Sequence, residues 1–167
     1  IGVVRLSERV LLHDPPTAAE VQEARDWIRE ETGAAVADMP RSSEQTFVGT
    51  AGTITSLAAM AQQLPSYEAA RIHNYCLDLK TVRDLEDRLL PRRKADRLCF
   101  PGLEKGREDV IAAGVIMLRT IMETLAVARC LVSDLGLREG VLLTLADRLP
   151  VHGSNRSAEL PAPGDPS

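Results

Sequence analysis

The sequence predicts an α/β domain in which helices and short apolar strands are layered around one core. Two observations favour this class: apolar residues recur at helical spacing in several segments, and short β-favouring runs lie between those segments. A third is the run from Phe47 to Met60, in which a short strand turns through glycines onto an Ala-rich helix. With 167 residues and 44% apolar content, the chain can bury one sizeable core, and one domain is the default expectation.

Composition excludes several classes of function. The chain has only two Phe, two Tyr and one Trp, too few for an aromatic surface that stacks the bases of a single-stranded nucleic acid. Its net charge of −4 argues against general adhesion to DNA or to an anionic membrane. No signal peptide and no apolar run long enough to span a bilayer are found. Any polyanion must therefore be held by a local basic site.

The cysteines favour a reduced, cytoplasmic protein. Cys76, Cys99 and Cys130 are odd in number and widely spaced, and they form neither a CxxC pair nor a Cys/His ligand pattern. We therefore do not expect a zinc site. Because the first residue is Ile1 and not Met, we interpret the chain as a piece of a longer protein.

The N-terminal segment is predicted to hold a strand and a helix. Residues Val3 to Leu12 alternate imperfectly between apolar and polar, which favours a half-buried strand that ends at Asp14-Pro15-Pro16. Thr17-Ala18-Ala19-Glu20 is typical of a capping box. The helix that it opens is expected to stop near Gly33 and to place three residues on one face: Val21, Ala24 and Ile28.

The middle of the chain is predicted to contain two more helices. The first follows the strand at Phe47-Val48 and ends near Pro65, with apolar residues Ile54, Leu57, Ala58 and Ala61. Residues 67–77 are ambiguous and receive no assignment. Asp78 is a plausible N-cap for the second, which ends at Pro91 and carries Val82, Leu85 and Leu89. A short basic cluster follows: Arg92, Arg93, Lys94 and Arg97.

The longest helical pattern runs from Arg107 to Arg129. Gly114 lies inside it at a cost of about 1 kcal/mol relative to Ala, so we expect a close backbone contact there. A short strand at Leu131-Val132-Ser133 and a last helix from Arg138 to Leu149 complete the predicted domain. Residues 150–167 are rich in Gly, Ser and Pro, which favours a disordered tail.

The loop Gly49-Thr50-Ala51-Gly52-Thr53 is the strongest candidate site. A glycine-containing turn at a helix N-terminus leaves backbone N–H groups free at the positive end of the helix dipole, which favours a phosphate. The threonines add hydroxyl groups. The loop is neither a Walker A loop nor the dinucleotide-binding fingerprint, since both required spacings are absent. An ordinary strand-to-helix turn fits the motif alone equally well.

Other polar residues have structural interpretations beside functional ones. Asp134 could cap the last helix, by far the commoner role, or bind a metal through water. Arg138 could hold a phosphate, although a surface salt bridge is the simpler interpretation. Glu108 and Asp109 suit a helix start, since adjacent helical residues do not share a face as a catalytic pair. His73 is the only histidine that merits attention, and no Ser/Asp partner set for a triad is identifiable.

Taken together and in order, several segments resemble the exopolyphosphatase/guanosine pentaphosphate phosphatase (Ppx/GppA) family. The resemblance extends from Ile1 to about Asp147. Each motif alone is weak evidence for the family, but their occurrence in the same order along the chain is specific. The segments are Gly2 to Glu8, Asp14 to Thr17, Val48 to Thr53, His73 to Tyr75, Pro101 to Leu103, Arg107 to Ile111 and Ser133 to Gly140.

The resemblance implies a ribonuclease-H-like fold of the actin and sugar kinase superfamily. The chain would be the second, C-terminal domain of a two-domain phosphatase over residues 1–149, with an incomplete sheet flanked by helices. The implied reaction is hydrolysis of the terminal phosphate of inorganic polyphosphate or guanosine pentaphosphate, with Mg²⁺. By this resemblance, Gly49 to Thr53 corresponds to the superfamily's adenosine-side motif and would direct backbone donors toward the phosphate or nucleotide. The helix with Val110 to Gly114 resembles the second inter-domain connecting helix.

The family's first domain, its catalytic glutamate and its metal-binding phosphate loop have no counterpart here. The resemblance therefore implies no catalytic residue and no metal ligand in this chain, and the fragment alone is expected to be inactive. Its expected partners are the missing N-terminal domain and the phosphate substrate, with no nucleic acid and no membrane. Arg5, Arg71 and Arg138 are weaker candidates for polyanion contact.

Two alternatives remain at this point. The same fold could serve a non-catalytic module that senses nucleotide or polyphosphate, because fold alone does not fix the reaction. The glycines could also be turn residues only, in a purely structural domain. We further expect a domain without its partner to expose apolar surface and to self-associate, with a homodimer as the simplest form.

Overall fold

The computed structural model describes residues 2–40 and 45–148, so the predicted tail at 150–167 lies outside the described residues. The helices are α1 (Val3–Arg9), α2 (Ala18–Ala35), α3 (Gly52–Ala61), α4 (Ala69–Ile72), α5 (Leu79–Leu89), α6 (Lys94–Arg97), α7 (Ile111–Thr124) and α8 (Leu137–Arg148). The strands are β1 (Val48–Thr50), β2 (Cys76–Asp78) and β3 (Arg129–Ser133). None of these helices combines the length and apolarity of a membrane span.

The three strands form one mixed sheet in the order β1-β3-β2. β1 is parallel to β3, with Thr50 opposite Ser133, and β2 is antiparallel to β3, with Cys76 opposite Leu131. The alternation of helices with short strands confirms the predicted α/β class. Because β1 and β3 run the same way, both end at the same edge of the sheet.

Two compact units divide the chain. Residues 1–136 hold the sheet and helices α1 to α7, and residues 137–167 hold α8. None of the residues of α8 is buried, and Leu137, Leu142 and Leu143 are all more than half exposed. The predicted last helix is thus present with nearly the expected bounds.

Buried apolar residues of the first unit form two clusters. The larger one lies between the sheet and helices α3, α5 and α7, and it includes Leu57, Leu85, Ile111 and Val132. The smaller one joins α1, α2 and α7 through Leu6, Ala24, Ile28 and Ile116. Helix α7 contributes to both clusters, so it is the central support of the unit.

The prediction of a strand over Val3 to Leu12 is wrong, because Val3–Arg9 is helix α1. Leu6 and Val10 are buried against α2 and α7, and Val3 and Leu11 pack beside them. These spacings of three and four residues belong to a helix, and the intervening polar residues made them look like strand alternation. Arg5 lies on the exposed side of α1.

Local helix signals are confirmed at two starts. The Glu20 N–H donates to Thr17 Oγ1 at 3.3 Å and the Thr17 N–H donates to Glu20 Oε2 at 2.7 Å, which is a complete capping box. The Asp78 carboxylate accepts from the Thr81 N–H at 2.7 Å and caps α5. Helix α2 continues past Gly33 to Ala35.

Some boundaries differ from the prediction. Helix α7 spans Ile111–Thr124, so Arg107 precedes it and Arg129 belongs to β3. The unassigned segment 67–77 contains α4 and the start of β2. Such differences at helix ends arise because the apolar pattern of a helix continues into neighbouring residues that belong to a turn or a strand.

Gly114 explains how α7 positions the candidate loop. A Cβ added at Gly114 would lie 2.0 Å from Cγ2 of Thr53. The close contact expected at this glycine is therefore confirmed. The backbone of α7 touches the first turn of α3, and this contact fixes the N-terminus of α3 at the edge of the sheet.

Candidate functional site

The loop between β1 and α3 is a sharp turn at a helix N-terminus. Ala51 joins the two elements with φ 73° and ψ 167°, a conformation that costs an alanine of order 1–3 kcal/mol. Its carbonyl accepts hydrogen bonds from Ile54 N at 3.0 Å and Thr55 N at 3.2 Å. The N–H groups of Gly52 and Thr53 precede these, where a helix offers no internal acceptor. They are the donors that an anion would engage.

The threonine hydroxyl groups of this region serve the fold. Thr50 Oγ1 donates to the Leu135 carbonyl at 2.9 Å, and Thr55 Oγ1 donates to the Gly52 carbonyl at 3.1 Å. The methyl group of Thr53 faces Gly114, as described above. The hydroxyl hydrogens of Thr50 and Thr55 are thus engaged within the fold.

Gly49 has a packing role. A Cβ added at Gly49 would lie 2.7 Å from Sγ of Cys130 and 2.9 Å from Cγ2 of Ile54. Burial raises the pKa of the Cys130 thiol to about 11, so this thiol is un-ionised at neutral pH. For Gly49, close packing against Cys130 and Ile54 is therefore a sufficient explanation.

Gly52 is different, because its neighbour is a cation. A Cβ added at Gly52 would lie 2.1 Å from Nη1 and 2.5 Å from Nη2 of Arg107. The Arg107 side chain is 36% exposed, and its Nε donates to Glu104 Oε2 at 3.1 Å. The guanidinium lies on the positive end of α3. An anion bound beside both would interact favourably with each.

Arg107 was missed as a site residue by sequence reasoning. The segment Arg107 to Ile111 contributes to the family resemblance, but the sequence pattern indicates only Glu108 and Asp109, as helix-start residues. In the structure Glu108 Oε2 accepts from the Gly106 N–H at 2.6 Å, and backbone hydrogen bonds lower the pKa of Glu108. This carboxylate therefore stabilises the turn that presents Arg107.

A second polar group lies at the same edge. Tyr67 donates its hydroxyl hydrogen to Asp134 Oδ1, and the Asp134 N–H donates to Nδ1 of His73 at 3.3 Å. Burial and the charge of Asp134 raise the pKa of Tyr67 to about 12. Helix α8 begins at Leu137, so the predicted capping role of Asp134 is wrong. Asp134 instead ties the end of β3 to residues 67 and 73.

The three other predicted contacts lie on other helices. Arg71 is exposed and pairs with Glu68 at 3.6 Å within α4. Arg5 is exposed on α1, and α1 packs against α7. Arg138 belongs to α8, which is a separate unit. Across residues 2–40 and 45–148, no three His, Cys, Asp or Glu side chains are grouped as a metal site requires.

The site thus consists of the N-terminus of α3, the Arg107 guanidinium and the Tyr67–Asp134 pair. It lies at the carboxyl ends of β1 and β3, where open α/β sheets bind ligands. Backbone donors, a guanidinium and a helix dipole are the groups that recognise phosphate.

Comparison with known proteins identifies relatives of this chain. The sequence profile of the Ppx/GppA phosphatase family matches residues 1–149. Exopolyphosphatase 2 of Mycobacterium tuberculosis is 36% identical over 150 residues, which cover 87% of this chain and 47% of that protein. A bifunctional 3-dehydroquinate synthase/phosphatase of Fusobacterium nucleatum is 26% identical over 129 residues, covering 74% of this chain and 18% of that protein.

Solved structures of the same type are similar to this fold. The Ppx/GppA family member of Aquifex aeolicus superimposes with a TM-score of 0.80 at 30% identity, covering 89% of this chain and 47% of that one. An exopolyphosphatase of Cytophaga hutchinsonii gives 0.74 at 23% identity over 89% and 48%, a likeness of fold alone. The predicted actin and sugar kinase type of fold is confirmed. The chain spans about half the length of the M. tuberculosis and A. aeolicus proteins.

Proposed function

The chain belongs to the Ppx/GppA phosphatase family, and from this membership we propose that the full-length protein removes the terminal phosphate of inorganic polyphosphate or of guanosine pentaphosphate. The relatives that carry an activity in their names are named as exopolyphosphatase or phosphatase. For this reason the alternative of a non-catalytic sensing module is not favoured. This chain would supply one wall of the phosphate cleft.

One observation supports the proposed wall above the others: the Arg107 guanidinium lies directly over Gly52 at the start of α3. Two positive features in contact repel each other, and an anion bound beside both offsets that repulsion. A phosphate oxygen could accept from the backbone donors of Gly52 and Thr53 while a second accepts from the planar guanidinium fork. This arrangement suits a tetrahedral, multiply charged phosphate better than a planar carboxylate.

In the proposed mechanism these residues bind and orient, and they do not attack. Catalysis of phosphoryl transfer rests largely on positioning and on charge stabilisation, which Arg107 and the loop can provide. The carboxylate that deprotonates the attacking water is proposed to come from the part of the family's length that this chain does not cover. Mg²⁺, which the resemblance implies, would neutralise phosphate charge when bound. The described residues bring together no ligand set for it, so no step is assigned through it.

The proposed domain arrangement follows from coverage. The family profile matches residues 1–149, while the M. tuberculosis relative is about twice as long as the matched region. We therefore treat residues 1–149 as a C-terminal ribonuclease-H-like domain that faces an N-terminal domain across the cleft. Residues 150–167 would lie outside that domain.

A matched pair of glycine variants tests the proposal. Gly52→Ala places a methyl group where the Arg107 guanidinium lies, and the flexible arginine can move aside, so the fold survives and the anion site does not. Gly33→Ala is the control, because a Cβ at Gly33 meets nothing within 4 Å. In the full-length protein we expect Gly52→Ala to lower kcat/KM by about tenfold or more, the value of one charged hydrogen bond, and Gly33→Ala to leave it unchanged.

The measurement is phosphate release from polyphosphate and from guanosine pentaphosphate. Equal activity of the two variants would contradict the proposed site, and release from neither substrate would contradict the proposed reaction. This chain alone is expected to release no phosphate. Release by the chain alone would place the catalytic group within it.

A further inference from the structure

The backbone that carries Arg107 is fixed on both sides of this residue. Before it, Gly102 lies so close to α3 that an added Cβ would be 2.4 Å from the Ala59 carbonyl carbon. After it, the buried Arg97 donates from Nη1 to the Glu108 carbonyl at 3.0 Å. The fold therefore places the backbone of residue 107, and the direction of its guanidinium depends on what holds the side chain.

The side chain of Arg107 is held by Glu104, three residues earlier. The Arg107 N–H donates to the Glu104 carbonyl at 3.2 Å, and Arg107 Nε donates to Glu104 Oε2 at 3.1 Å. The side chain of Glu104 is 42% exposed. Because an ion pair this exposed adds little to the stability of a fold, its main effect is on the orientation of the guanidinium.

This ion pair differs from the others of the chain in the nitrogen that it uses. Within residues 2–40 and 45–148, seven arginines lie within 4.0 Å of a carboxylate, and six of them contact it through a terminal nitrogen, Nη1 or Nη2. Arg107 contacts Glu104 through Nε. Its two terminal nitrogens are the atoms that lie over Gly52. The pair thus engages Nε and leaves the terminal nitrogens at the start of α3.

An arginine side chain gains from such an anchor when it binds a ligand. It has several rotatable bonds, and holding it in one conformation in a complex costs conformational entropy. A carboxylate that already bonds Nε removes part of this cost before the ligand arrives. It also fixes the plane of the guanidinium, on which simultaneous bonds to two oxygens of one phosphate depend.

From these observations we infer that Glu104 is a positioning residue, whose bond to Nε keeps the two terminal nitrogens of Arg107 at the N-terminus of α3 for a phosphate. The inference rests on the proposed function and makes it more specific, because it names the residue that orients the proposed phosphate-binding arginine. Glu104 itself does not bind the phosphate. Its negative charge alone would repel an anion, so a positioning role and a purely electrostatic role predict opposite effects when Glu104 is removed.

The test measures the affinity of the full-length protein for tripolyphosphate by calorimetry, with thermal unfolding as the check of the fold. Glu104→Ala removes both the anchor and the charge, and we expect it to bind about three- to tenfold more weakly. Glu104→Gln removes the charge but keeps an oxygen that can accept from Nε. This variant should therefore bind at least as tightly as the unsubstituted protein, and both variants should unfold at nearly the same temperature as that protein.

Two further variants serve as controls. Asp26→Ala is the matched one, because Asp26 also pairs with an arginine three residues later, Arg29, and is exposed, but it lies on α2, outside the proposed site. It should leave the affinity unchanged. The second control combines Glu104→Ala with Arg107→Gln. If Glu104 acts through Arg107, this double variant binds no more weakly than Arg107→Gln alone.

The outcomes separate this inference from the proposed function. If Glu104→Ala bound as tightly as the unsubstituted protein while Arg107→Gln lost affinity, the positioning role would be overturned and the phosphate site would stand. Equal losses in Glu104→Ala and Glu104→Gln, equal losses in Glu104→Ala and Asp26→Ala, or a further loss in the double variant would overturn the positioning role as well. Unchanged affinity in Arg107→Gln would contradict the phosphate site and the role of Glu104 together.

Discussion

Arginines meet acidic residues in two parts of this molecule, with different consequences. Between α2, α5 and α7, Arg25 and Arg119 both bond the buried carboxylate of Glu86, and Glu123 joins Arg119 at 3.0 Å. At the edge of the sheet, Arg107 has one partly exposed partner, Glu104, and otherwise faces the N-terminus of α3. The charges of the first group, called the closed group below, pair with one another, whereas Arg107 is partly exposed beside a helix N-terminus. The number of partners, and not the residue type, distinguishes support from binding.

The largest effect is expected when Glu86, the shared partner of Arg25 and Arg119, is removed from the closed group. Glu86 is 1% exposed, and Glu86→Ala would leave two arginines in the interior without their shared partner. We expect a loss of about 3–5 kcal/mol in the free energy of unfolding, measured by urea denaturation. Asp87→Asn is the neighbouring control, since Asp87 is 76% exposed, and it should change stability by less than about 0.5 kcal/mol. A loss below 1 kcal/mol for Glu86→Ala would show that the closed group is not a support.

One arginine-to-glutamine variant in each region tests the comparison further, with expected effects of intermediate size on binding or on stability. Arg107→Gln removes the guanidinium from the sheet edge and is expected to weaken tripolyphosphate binding by about tenfold, with stability almost unchanged because an exposed ion pair contributes little. Arg119→Gln should do the opposite, lowering stability while the remaining folded protein keeps its affinity. Calorimetric titration gives the affinity of each variant for tripolyphosphate, and thermal unfolding gives its stability. If both variants lost affinity and stability to the same extent, the distinction between a binding arginine and a supporting arginine would be wrong.

Sequence reasoning reached the parts of the fold that short-range chemistry determines. Three features are each encoded within a few residues, so the local sequence predicts them: the capping box at Thr17 and Glu20, the Asp78 cap and the strand–glycine–helix unit. The α1 segment failed because seven helical residues offer too few periods to separate helix from strand alternation. In each case the length of the signal decided the outcome.

The candidate site was predicted only in part, for a related reason. The loop Gly49 to Thr53 is local, and the sequence indicated it. The guanidinium over Gly52 comes from residue 107, and the carboxylate bonded to Tyr67 comes from residue 134. Both contacts join residues that are distant in the sequence and that only the packing of the helices and the sheet brings together, so no local pattern encodes them. The closed group around Glu86 was unpredictable for the same reason, since its charges look like surface residues of three helices.

The smallest expected effect concerns the bond from Tyr67 to Asp134 at the edge of the sheet. Burial and the bond to Asp134 together raise the folded-state pKa of Tyr67 to about 12 from an ordinary value near 10. The stability linked to the un-ionised tyrosine is therefore present below pH 10 and is lost as the pH rises towards 12. Asp134→Asn removes the carboxylate charge, so the pKa of Tyr67 should fall towards its ordinary value. Ultraviolet absorbance follows the two tyrosines of the chain, and Tyr67→Phe identifies which transition belongs to residue 67. If the ionisation of Tyr67 stayed near pH 12 in Asp134→Asn, burial alone would hold the proton on Tyr67. The carboxylate of Asp134 would then contribute nothing to the pKa of Tyr67.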